Sequence, residues 1–174
     1  LRQVREGPAV TAPILACDPG LAGAFALWEP ERDALKVTAM PVLKRELADG
    51  KLKTVLDEPE VVALLAVFAG VGARDFFLEE VMGAPGQSGP AMFNFGYGVG
   101  VVYAAALAAG LTVHRVPSSV WKPAMKAPKD KKAARHRAGE LLPRQRHLWP
   151  LAGDDGKAEA AMLALYGARK LGRG

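Results

Sequence analysis

The sequence predicts an α/β fold: one mixed five-stranded sheet, three antiparallel strands then two parallel ones, flanked by helices. Three observations predict it. Three short apolar runs at 14–17, 23–28 and 35–40 follow one another with short connections, as in an antiparallel meander. Two later runs, at 75–81 and 111–116, are each preceded by a helical stretch, and right-handed crossovers of that kind lay strands parallel. The chain has 174 residues, half of them hydrophobic, enough for one domain of ordinary size with a real core. The domain is expected over 13–174, behind a tail at 1–12.

The elements read in order as follows. Ile14-Leu15-Ala16-Cys17 is a buried strand that ends in Asp18-Pro19-Gly20, which is turn chemistry. GAFALW (23–28) and residues 35–40 complete the meander, and the charged stretch 41–58 reads as a loop. Glu58-Pro59-Glu60 opens a helix with Val61, Leu64, Leu65 and Phe68 on one face, closed by Gly70. DFFLEEV (75–81) is the fourth strand, and the Gly- and Pro-rich stretch 83–90 is a loop. A helix over 91–109 carries small residues that permit close packing. The fifth strand follows at 111–116, and Ser118 or Ser119 can cap a short helix through Met125. Beyond a basic loop lie a helix over 131–142 and, after a linker with Pro and Gly, a last helix over 156–171.

Composition excludes several classes. The single cysteine, Cys17, rules out a disulfide framework and a cysteine-rich zinc site, and suits a reducing compartment. No apolar run reads as long enough to span a bilayer, so a soluble, cytoplasmic protein without a membrane partner is expected. The net charge is +5, but residues 122–146 alone carry nine Lys or Arg against Asp130 and Glu140, a local +7 that leaves −2 for the rest. A basic patch on a mildly acidic body points to a polyanionic partner.

Carboxylates supply the candidate chemistry. Phosphodiester hydrolysis by two metals requires acids converging from separate elements on cations roughly 4 Å apart. Mg²⁺ prefers oxygen ligands, so Asp and Glu are the fitting residues. Asp18 ends the first strand. Glu79 lies in an apolar strand, where a carboxylate is expensive to bury unless it is paired or bound to metal. Glu80 points to the opposite face, because side chains alternate along a strand. Asp154, Asp155 and Glu159 open the last helix, with Asp155 and Glu159 one turn apart on one face. Each has an ordinary structural reading, a turn aspartate or acids at a helix N-terminus; only their conjunction argues for a site. His114, His136 and His147 show no metal-ligand spacing.

With those residues in view, the chain resembles the RuvC superfamily of Holliday junction resolvases, in its bacterial, phage and chloroplast branch. The motifs that carry the likeness are ILACDPGLAGAFAL (14–27), FLEEV (77–81), MFNFGYGVG (92–100), VPSSVWK (116–122) and GDDGKAEAAMLALYG (153–167). The resemblance implies an RNase H-like fold and a Mg²⁺-dependent endodeoxyribonuclease, with Mn²⁺ as a substitute. It would cut branched DNA at four-way junctions by paired symmetric nicks. By position it implies that Asp18, Glu79 and Glu159 are metal ligands. The family's fourth acid, three residues before Glu159, falls on Gly156, so Asp155 or Asp154 must take its place. Lys122 and Lys131 match basic positions near the catalytic centre.

The remaining features face the DNA. Lys126, Lys129, Lys132, Arg135 and Arg137, with Lys122 and Lys131, form the expected phosphate-contacting surface, whose binding would be salt-dependent. Phe93 and Phe95, in a loop and helix start rich in glycine, could stack on unpaired bases or lie in the core. Two symmetric nicks call for two active sites, and hence a C2 homodimer. Its candidate surface is the stripe Gly96, Gly100, Ala104 and Ala108, unless that stripe packs on the protein's own sheet. Rival readings are an RNase H-like nuclease of structured RNA and a branched-DNA binding protein that does not cut. A sugar kinase or actin-like ATPase needs two such domains, and 174 residues are too few.

Overall fold

The central strand β1 (Ile14–Asp18) is an unbroken apolar run because both of its faces are covered, the pattern of a strand inside a two-sided sheet. The computed structural model describes residues 11–80 and 88–173. Strands β2 (Ala24–Glu29) and β3 (Ala34–Ala39) continue as an antiparallel meander. A separate two-stranded ribbon follows, β4 (Val42–Glu46) and β5 (Leu52–Leu56). Then come α1 (Glu58–Gly70), β6 (Asp75–Glu80), α2 (Gly89–Ala108) and β7 (Thr112–Pro117). Helices α3 (Ser118–Ala124), α4 (Lys131–Leu141) and α5 (Asp155–Lys170) complete the described chain. The main sheet has the order β3-β2-β1-β6-β7, with β6 parallel to both β1 and β7. This is the mixed five-stranded sheet expected, with β6 and β7 as its fourth and fifth strands.

Alternation along the strands divides the interior in two. Ile14, Ala16, Ala24, Ala26 and Phe77 face α5 and, beyond it, α3 and α4. Leu15, Cys17, Phe25, Phe76 and Leu78 face Val61, Leu65 and Phe68 of α1 and Val102 and Ala106 of α2. Helix α5 lies very close to the sheet. A Cβ at Gly167 would stand 2.5 Å from Phe77 Cδ2, so only glycine admits the ring there.

Four expectations need correction. Residues 42–56 form a β-ribbon, not a loop: Asp49-Gly50 turns the chain, with Gly50 at φ +78°. Neither Ser118 nor Ser119 caps α3, because β7 runs into it without a connecting residue and Pro117 takes the N-cap position with no side-chain bond. The whole motif MFNFGYGVG is helical, since α2 begins at Gly89 with Ser88 Oγ accepting from Ala91 N–H. Finally, α2 is long and apolar enough to cross a membrane by length and composition, contrary to the reading that no run is. Here it packs against α1 and β7. The expected loop at 83–87 and most of the expected tail lie outside the described residues.

Candidate active site

Because β1 and β6 are parallel neighbours with Cys17 opposite Leu78, their C-terminal ends bring Asp18 and Glu79 side by side. The turn after Asp18 is held by Gly20 N–H donating to Asp18 Oδ1 at 3.3 Å. Helix α5 starts directly against that turn. A Cβ at Gly156 would run into the Ala22 carbonyl oxygen and come within 2.6 Å of Gly23 Cα. This contact aims Asp155 and Glu159 at Asp18, and a recess of about 140 Å³ is lined by all three together with Lys131. It also explains why no carboxylate stands at 156: that position has no room for any side chain.

Lys122, from α3, reaches in among the acids. Its Nζ donates to Glu159 Oε2 at 2.9 Å and lies 3.9 Å from Glu79 Oε1. Asp155 is held by Arg135, which also donates to the Ala152 carbonyl at 2.7 Å, and by Lys131 Nζ at 3.4 Å. Asp154 points elsewhere: it accepts from Leu151 N–H at 2.9 Å and pairs with Lys157 at 2.7 Å. Those two partners hold its pKa low. Glu80, on the other side of β6, pairs with Arg115 at 2.7 Å.

The electrostatics mark a site that demands positive charge. Burial, with Glu159 nearby, pushes Asp18 up to about 6 against the opposing pull of Gly20 N–H, Lys122 and Lys131. Burial likewise pushes Glu79 up to about 7; Lys122 opposes this, and the charges of Asp18 and Glu159 add to it. The Trp121 indole N–H favours the Glu79 carboxylate as a nearby dipole, without a hydrogen bond of proper geometry. Burial alone would lower the Lys122 pKa, but its bond to Glu159 and the charges of Glu159, Glu79 and Asp18 raise it.

These residues fit a hard divalent cation in type: four carboxylates from three elements, two of them reluctant to ionise without a cation. As placed, no three Asp, Glu, His or Cys groups among the described residues converge on one ion. Lys122 stands between Glu79 and Glu159 instead, while Lys131 and Arg135 hold Asp155.

The basic segment divides by environment. Lys126, Lys129 and Lys132 are exposed and, among the described residues, form no ion pair. Lys122 and Lys129 line one open trough of about 440 Å³. Arg137 is committed inward, donating to the Met125 carbonyl at 3.0 Å and to Glu140 at 2.8 Å. Arg135 is committed to Asp155, a role that spacing alone could not have indicated. Phe93 is 74% exposed and Phe95 half-buried on the first turns of α2. Gly96, Gly100, Ala104 and Ala108 are all exposed, so the small-residue stripe does not pack on the protein's own sheet. The histidines lie apart from the carboxylates: His114 pairs with Asp75 at the other end of β6, His136 with Glu140, and His147 with the Arg144 carbonyl.

No protein-family model matches the chain, and no curated protein matches it. Among solved structures, Thermus thermophilus RuvC in complex with a Holliday junction substrate matches 92% of this chain and 97% of its own, at 16% identity and a TM-score of 0.55. A second T. thermophilus RuvC structure matches with the same coverages, at 19% identity and a TM-score of 0.51. The fold is therefore that of RuvC, an RNase H-like mixed sheet, as the motifs implied.

Proposed function

We propose that this chain is a Mg²⁺-dependent endodeoxyribonuclease that resolves four-way DNA junctions by paired symmetric nicks, acting as a homodimer. The observation that carries the proposal is the recess at the C-terminal end of β1 lined by Asp18, Asp155 and Glu159, with Glu79 beside Asp18 on β6 and Lys122 between Glu79 and Glu159. The shared fold with RuvC, one structure of which holds a Holliday junction substrate, supports the choice of DNA.

Asp18, Glu79, Asp155 and Glu159 would hold the cations, which when bound supply Lewis acidity and an activated water; Mn²⁺ would substitute. Lys122 keeps a fixed positive charge between Glu79 and Glu159, where it stabilises charge that develops on a phosphate entering the cleft. Lys131, paired with Asp155, does the same from the recess it lines with Asp18 and Glu159. Arg135 positions Asp155 without facing the substrate. Lys126, Lys129 and Lys132 neutralise phosphates along the approach, and exposed Phe93, with Phe95 behind it, offers a surface for unpaired bases. Such an enzyme would work in the cytoplasm, where its DNA is.

The test is cleavage of a labelled four-way junction beside a linear duplex and a folded RNA, with Mg²⁺ and with chelator. The junction is cut with Mg²⁺ alone, and Asp18→Asn binds it as tightly but leaves it whole. Cleavage of the RNA in preference, or near-normal cutting by Asp18→Asn, would reject the proposal.

A further inference from the structure

The ribbon β4–β5 has no place in the carboxylate chemistry, yet it rises from the same end of the sheet. β3 ends at Ala39, opposite Ala24, which is itself opposite Asp18. Met40 N–H donates to the Gly23 carbonyl and ties the chain before the ribbon to that end, and Asp57 N–H donates to the Pro41 carbonyl and closes the ribbon's base. Among the described residues its strands pair only with each other, and every residue of β4 is exposed. Such a two-stranded ribbon is marginal in water without something to lie against.

Its charges are arranged against its own stability. Residues 42–56 carry Lys44, Arg45, Lys51 and Lys53 against Glu46 and Asp49. Arg45 stands directly opposite Lys53 in the register, two like charges on one face. Neither forms an ion pair among the described residues, and like charges directly opposed destabilise a ribbon. Both line a recess of about 110 Å³ with Leu21, Thr54, Asn94 and Tyr97. Leu21 belongs to the turn that begins at Asp18, so the carboxylate cleft borders one flank of that turn and this recess borders the other. The acid in the lining, Glu58, already accepts from Tyr97 Oη at 3.2 Å.

Resting on the nuclease reading above, we propose that the Arg45–Lys53 face of the β4–β5 ribbon binds the phosphodiester backbone of the DNA strand as it leaves the carboxylate cleft. A polyanion relieves the opposed charges and covers the exposed part of a ribbon whose base alone, through Leu56, packs on α2. A second copy of the chain seated there would instead bury four cations. Tyr97 and Asn94 add a flat ring and an amide beside the same path.

The experiment uses the full chain carrying Asp18→Asn, so that binding is read without cleavage. Anisotropy of a labelled four-way junction is followed across a salt series, with and without the pair Arg45→Gln and Lys53→Gln. Loss of two phosphate contacts makes the slope of log K against log[salt] shallower by about 2. A second variant separates binding from folding: Lys53→Glu places an acid opposite Arg45, so its melting temperature holds or rises while the salt slope still falls. Unchanged slopes in both variants would overturn the inference. So would a change from dimer to monomer in sedimentation with the slope kept, which would make the ribbon a contact between copies. If the Asp18→Asn chain binds the junction no better than linear duplex, the junction reading fails, and the slope on that duplex still decides the ribbon's role.

Discussion

Asp154 and Asp155 are neighbours in sequence and opposites in environment. One accepts from Leu151 N–H in the turn before α5 and pairs with Lys157; the other is held by Arg135 and Lys131 beside the recess. Sequence favoured Asp155, one turn from Glu159, but left the choice open, because both are acids at a helix start and the family spacing falls on Gly156. Glu79 was legible, since no apolar strand buries a carboxylate without a use for it. Asp155→Asn should abolish junction cleavage while keeping most of the stability. Asp154→Asn should instead lower the melting temperature and leave the cleavage rate within a few-fold; the reverse order would move the ligand to Asp154. Glu79 also predicts a pH effect. Its pKa rises from 4.5 to about 7 on folding, first through burial. Between those values the folded chain keeps a proton that the unfolded chain has lost, so this group's contribution to stability falls as pH rises through the window. Metal-free Glu79→Gln should therefore be more stable than the parent at pH 8, by roughly 1–3 kcal/mol, and the gain should vanish near pH 4.5. Melting curves across that range check it, and a gain that does not vary with pH would assign it to packing.

At the scale of elements, the main sheet and the long helices were legible because their apolar spacing answers to two-sided burial. The ribbon was not. Val42 to Glu46 shows no inward and outward alternation, since neither face of it lies on the core, and only Asp49-Gly50 signalled a turn. The start of α3 differs for a related reason: β7 runs straight into the helix, so its extended last residue, Pro117, takes the N-cap position and both serines fall inside the helix. The contact between α5 and the Asp18 turn was equally hidden, because a glycine in a helix announces nothing about what it meets. Gly156→Ala should push α5 off that turn, at a cost of roughly 1–3 kcal/mol, and should reduce cleavage more than junction binding. An alanine variant as stable and as active as the parent would show that the contact does not set the geometry of the acids.

The whole molecule leaves α2 unfinished. Its inner face, Gly98, Val102, Ala105 and Ala106, is buried, while Phe93, Tyr97, Tyr103 and Leu107 stand open with the stripe Gly96, Gly100, Ala104 and Ala108. In the proposed homodimer, a long helix so apolar and so exposed would meet its two-fold mate, with the small residues admitting close approach. A Cβ at Gly100 meets open space. Gly100→Leu should therefore leave the fold intact and turn a sedimenting dimer into a monomer, and a variant that stays dimeric would put the interface elsewhere. The proposed cleavage is that of a junction's two halves, each cut by the four carboxylates of one protomer. Its most direct test is to map the cleavage positions on a four-way junction labelled in turn on each strand, with Mg²⁺, using the parent and Glu79→Gln. Two nicks at symmetric positions on opposed strands are expected with the parent, and none with the variant. Nicks scattered over the arms, or the same paired nicks from Glu79→Gln, would contradict it.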